Sequence, residues 1–107
     1  MVKAVKAAQL ADQIRDYVAQ WSIQDLPGYL FSITQVTLTP DLQKAILWVD
    51  VLQPERQDAT IAALRRALPN YQRQLHRTMR RQQLPLLSFR PDDRAKLDER
   101  FDQLLKQ

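Results

Sequence analysis

Leu30-Phe31-Ser32-Ile33-Thr34-Gln35-Val36-Thr37-Leu38 is followed by Thr39-Pro40-Asp41-Leu42 and then by Lys44-Ala45-Ile46-Leu47-Trp48-Val49-Asp50-Val51-Leu52. β-Branched and aromatic types dominate both arms, so the stretch reads as two strands joined by a turn. In the second arm Ala45, Leu47, Val49 and Val51 share one face and Ile46, Trp48 and Asp50 the other. The uniformly apolar odd face is therefore the core face. In the first arm the apolar phase slips between Ile33 and Val36, which marks either a bulge or a strand covered on both faces. At the turn, proline presets φ near −65° and Asp41 can bond its own backbone.

Before this block, Leu10, Ile14, Val18 and Trp21 recur at three- and four-residue spacing. They predict an amphipathic helix from about Val5 to Trp21, with Trp21 in the core. After it, Leu64, Leu68, Tyr71, Leu75 and Met79 form one stripe from Asp58 to about Gln82, running through Pro69. Proline has no N–H for the carbonyl four residues back, so two helices joined at Ala67-Leu68-Pro69 are expected. Leu84 to Arg90 predicts a third strand, which Pro85 confines to an edge or to its own first residues. Pro91-Asp92-Asp93 predicts the start of a last helix over about residues 92–106, capped by an aspartate and striped by Leu97, Phe101 and Leu104. The fold class is α+β: one domain over 1–107, a three-stranded sheet with helices on one face.

The chain has 107 residues, no cysteine, one glycine (Gly28) and one histidine (His76). One glycine cannot build a phosphate-cradling loop or a dinucleotide fingerprint. Without cysteine, and with one histidine, there is no ordinary zinc site, thiol nucleophile or disulfide. A binding protein without cofactor or metal is the better reading than an enzyme. No apolar run approaches membrane-spanning length, and no secretion signal is expected from the opening residues.

The formal net charge of +4 conceals an asymmetry. Residues 59–91 contain no acid and seven arginines: Arg65, Arg66, Arg73, Arg77, Arg80, Arg81 and Arg90. That segment carries +7 and the remainder −3. Arginine without lysine favours bidentate phosphate contact and stacking on bases. On a helix, Arg66, Arg73, Arg77 and Arg80 fall within about a 60° arc opposite the apolar stripe, with Arg81 beside it. A solvated surface is the bland alternative, but local i,i+4 pairing cannot occur where no acid is present. His76, beside this face, reads as a surface or phosphate-contacting group rather than a catalyst. Trp48 is either core filler or an aromatic on the open sheet face, available to a base or a protein partner.

The order α-β-β-α-kink-α-β resembles a type II K-homology domain. The strand–Thr39-Pro40-Asp41-Leu42–strand block, the helix segment Ala11-Asp12-Gln13-Ile14-Arg15 and the Leu84-Pro85 to Phe89 strand are similar to the ribosome-binding factor A family. The likeness covers roughly residues 7 to 90. It implies a monomeric cytoplasmic protein of bacterial type that binds the small ribosomal subunit and its rRNA. It also implies help in late maturation, including the 5′ region of that rRNA, without catalysis or a small-molecule substrate. The family builds its kink on Ala-x-Gly, and Ala67-Leu68-Pro69 stands at those positions, with proline in place of glycine. Two other readings stay open: a KH-like module for another structured RNA, and a protein-interaction domain using the open sheet face.

Overall fold

The computed structural model describes residues 2–80 and 83–93. Helix α1 (Val2–Asp25) is followed by strands β1 (Phe31–Leu38) and β2 (Lys44–Val51), a 3₁₀ turn at Pro54–Arg56, helix α2 (Gln57–Thr78) and strand β3 (Leu86–Pro91). β2 lies at the centre of the sheet, antiparallel to β1 and parallel to β3.

The odd face of β2 is the core face, as its alternation predicts: Ala45, Leu47, Val49 and Val51 are all buried. Val36, Leu87 and Phe89 join them from the flanking strands. Both helices close this face, α1 with Leu10, Ile14 and Val18, α2 with Ile61, Leu64, Tyr71 and Leu75. Trp21 is half-buried and bridges the two helices through an aromatic series. It stacks on Tyr17 at 5.7 Å between ring centroids and lies 5.9 Å from Tyr71, which meets Phe89 edge-on at 6.5 Å. Edge and offset arrangements of this kind suit the ring quadrupoles and add to the burial of area.

The phase slip in β1 is a bulge. Register shifts between Ile33 and Gln35, so Thr34 has no partner residue opposite it. Its hydroxyl donates to the Asp92 carboxylate at 2.6 Å. Asp92, expected as a helix cap, thus ties the chain beyond β3 back to β1. The rest of the last helix expected over residues 92–106 lies outside the described residues, as does Arg81.

The turn is built as its residues suggest. Leu42 N–H donates to the Thr39 carbonyl at 2.8 Å, and the Asp41 carboxylate accepts from Thr39 Oγ1 at 2.6 Å and from Gln43 N–H at 3.2 Å. These two bonds hold the Asp41 pKa below its ordinary value. The contact is therefore lost as pH falls through the carboxylate range. Leu42 takes a left-handed φ of 59°, a strained conformation for a residue with a Cβ.

Pro69 does not divide the second helical segment: α2 is one helix from Gln57 to Thr78 with the proline inside it. The expectation of two helices underweights packing. Leu64, Tyr71 and Leu75 are buried on both sides of the proline, while Pro69 itself and Arg65, whose carbonyl loses its partner, are exposed. The missing bond thus falls on the solvent side, where water can replace it. The helix also ends earlier than expected. Met79 is extended and its N–H makes the closing bond to Leu75.

β3 begins after Pro85 and occupies an edge, in keeping with that proline. Its outer rim is closed by α2. Gln72 donates to the Pro85 carbonyl at 3.0 Å and accepts from Leu87 N–H at 2.9 Å, taking the place of a neighbouring strand. Replacing Gln72 with alanine leaves the N–H of buried Leu87 without a partner. The expected cost is about 1–3 kcal/mol, the penalty of an unpaired buried donor. It should be read as a lower urea midpoint at unchanged m, with faster exchange at the Leu87 amide.

Candidate nucleic-acid interface

The apolar stripe of α2 faces the sheet, so its opposite side faces outward. There Arg66, Arg73 and Arg77 are exposed, and Arg80 is exposed just past the helix end. Arg80 follows the extended Met79, so its place beside the others comes from chain continuity rather than helical geometry. Among the described residues the ion pairs belong to Arg15, with Asp12 at 3.8 Å and Asp16 at 3.7 Å. None of the α2 arginines meets a carboxylate there. A stripe of unneutralised guanidinium groups on a rigid helix offers planar forks at fixed spacing to phosphates along a nucleic-acid backbone.

Not every candidate joins that stripe. Arg65 is exposed but turns to the side, donating to the Phe89 carbonyl at 3.2 Å and so fastening α2 to β3. His76 is exposed, one turn from Gln72, with the two side-chain nitrogens 3.4 Å apart. Arg90 stands opposite Trp48 in register, on the even face of the sheet away from both helices. The structure thus separates Arg90 from the α2 face. Ala67 and Leu68 are half-buried under the stripe, and Pro69 is exposed beside it.

Trp48 is half-buried on the open face, and its indole N–H donates to Thr37 Oγ1 at 2.9 Å across the β1–β2 pair. With Ile46 and Arg90 it forms a mixed apolar and basic surface on the side opposite the helices. Sequence reasoning missed Gln72, whose two bonds shape the rim below the arginines. Its one signal was a position on the side of the apolar stripe, indistinct among fourteen glutamines. Among the described residues no helix is long and apolar enough to cross a membrane.

Several known proteins are similar to this chain. Ribosome-binding factor A from Bradyrhizobium sp. (strain ORS 278) is 30% identical over 92 residues, covering 84% of this chain and 62% of the relative. That from Xylella fastidiosa (strain M23) is 36% identical over 75 residues, covering 70% and 60% respectively. The chain thus spans somewhat less than two thirds of the length of these curated relatives. The crystal structure of ribosome-binding factor A from Thermus thermophilus superposes with a TM-score of 0.65 at 29% identity, covering 78% of this chain and 93% of that one. A Thermus thermophilus homology model fitted into a cryo-EM map of a 30S–RbfA complex gives the same TM-score at 26% identity, covering 78% of this chain and 92% of that one. The KH-like α+β fold is shared with these structures. The family model described as ribosome-binding factor A matches residues 4–105, and the chain belongs to the ribosome-binding factor A family.

Proposed function

We propose that this chain is a non-enzymatic assembly factor that docks on the small ribosomal subunit and assists late maturation, including that of the 5′ region of its rRNA. It acts as a monomer in the cytoplasm. Family membership supports the ribosomal setting, and the Thermus relative fitted into a 30S complex supports the choice of subunit. The observation that carries the reading is the outward face of α2, where Arg66, Arg73 and Arg77, continued by Arg80, stand exposed without carboxylate partners among the described residues. Arg81 and His76 extend this face, Arg65 borders it, and Arg90 with Trp48 forms a second contact on the open sheet.

Register on rRNA then comes from shape and phosphate geometry rather than from reading base edges. Binding that favours one rRNA conformation over another shifts the population towards it. That is sufficient for an assembly factor without catalysis.

The test is sedimentation with purified small subunits, large subunits and whole ribosomes at several salt concentrations. Neutralising four to six phosphates gives a slope of log K against log salt of about −3 to −5. Selective capture by small subunits with that slope is expected. A flat salt dependence overturns the phosphate contact, and equal competition by an unrelated structured RNA overturns the choice of the ribosome.

A further inference from the structure

The sheet has two outer edges, and the chain treats them differently. The rim of β3 is closed by Gln72 and Arg65, which satisfy Pro85, Leu87 and Phe89. The rim of β1 is not closed in this way. Leu52 N–H donates to the Leu30 carbonyl at 3.1 Å, and the register continues Phe31 opposite Val51, Ser32 opposite Asp50 and Ile33 opposite Val49. In an antiparallel pair the bonds alternate, so Ser32 turns its backbone inward and Phe31 and Ile33 turn theirs outward. Among the described residues nothing meets those outward N–H and C=O groups.

An apolar groove runs along that rim. One open cavity of about 260 Å³ lies between Ala19, Ser22 and Ile23 of α1 and Phe31 and Ile33 of β1. A second, of about 290 Å³, shares Ser22, Ile23 and Phe31 with it and extends to Leu30 and Leu52. Ile23, Leu30 and Leu52 are 73%, 56% and 70% exposed, far more than large apolar side chains that pack within a fold. Unpaired strand groups beside an apolar groove are the two requirements for adding a strand: main-chain bonds give affinity and alternate side chains fill the groove.

Charge selects the occupant. Asp12, Asp16 and Asp25 on α1 and Asp50 beside Ser32 are exposed carboxylates around the groove, with Arg15 set among them. The arginine face of α2 lies on the other side of the molecule, over β3. We infer that the rim of β1 accepts an extended basic peptide segment of a protein partner as a fourth strand. Its apolar residues seat against Ile23 and Phe31 and its cations lie near Asp12 and Asp16. The bulge at Thr34 ends the regular pairing, so the added strand is short, about four residues. This interaction is independent of the proposed RNA contact, since it involves no phosphate.

The experiment is amide hydrogen exchange on the full chain, alone and with a capped peptide alternating lysine and valine over seven residues. A glutamate–valine peptide and a lysine peptide with N-methylated valines serve as controls. Phe31 and Ile33 should exchange fast in the free chain and slow at least ten-fold with the lysine peptide only. The Leu87 amide, held by Gln72, should not change. The double variant Asp12→Lys/Asp16→Lys should lose that slowing while keeping its thermal transition. No slowing, or equal slowing with the glutamate peptide, overturns the proposal. Protection already present in the free chain also overturns it. If lost on dilution, that protection assigns the rim to a second copy; if retained, to residues 94–107 of the same chain.

Discussion

Replacing Arg73, Arg77 and Arg80 together with glutamate should cut capture by small ribosomal subunits at least 100-fold at moderate salt, with the fold left intact. All three side chains are exposed, and none bonds a carboxylate among the described residues. Their removal costs the fold no contact of consequence, and the melting temperature should move by only a few degrees. The binding loss is large because three phosphate contacts vanish and three repulsions replace them. The salt slope should therefore become shallower by about 3, one unit per lost contact. Glutamine at the same positions should reproduce the change in slope with a smaller loss of affinity. Sedimentation of each variant with purified small subunits, across a salt series, reads both quantities. Capture by the triple-glutamate variant at the wild-type level would assign the contact to the open sheet face around Trp48.

The features legible in the sequence are those with a period. Alternation in β2 identified its buried face, and the slip between Ile33 and Val36 located the bulge within one residue. Spacing in α1 picked out Leu10, Ile14 and Val18, all fully buried. Pro69 was misleading because its local cost, about 3 kcal/mol in a helix interior, can be outweighed by packing. Leu64 before it and Tyr71 and Leu75 after it are buried in one core, which holds both halves in a single helix. The separation of Arg90 from the other arginines was readable in principle. Leu87 and Phe89 mark the core face of β3, so a residue one step on must point the other way. Charge counting along the chain ignores that alternation and merges two surfaces into one. The side-chain closure of β3 and the exposure of β1 depend on strand order, which no local pattern encodes.

Removing only the hydroxyl of Tyr71 should stabilise the protein, whereas removing the whole ring should come close to unfolding it. Tyr71 is fully buried, packed between Trp21 and Phe89, and its hydroxyl has no hydrogen-bond partner among the described residues. Burial, and then the negative charge of Asp25, push its pKa up to about 12. Asp25 acts on the hydroxyl through its field without completing a hydrogen bond. Tyr71→Ala deletes the ring at the junction of both helices and β3, at a cost of about 3–5 kcal/mol, as for other large aromatic deletions. That is much of the stability of a small domain. Tyr71→Phe keeps the ring and removes an unpaired buried donor, for a gain of about 1 kcal/mol at neutral pH. The pH dependence separates the two effects. Below pH 10 the tyrosine is protonated in both the folded and the unfolded chain. Between pH 10 and 12 the unfolded chain ionises first, so wild-type stability falls, by about 2–3 kcal/mol over the whole interval. Phenylalanine has nothing to titrate, so the advantage of Tyr71→Phe should grow by that amount from pH 9 to pH 12. Urea unfolding of both proteins at pH 7, 9, 10.5 and 12 measures the difference directly, the other titrating groups being common to both. A constant difference across that range would mean that the hydroxyl is solvated in the folded state, and that the aromatic series does not seal the core where the two helices meet β3.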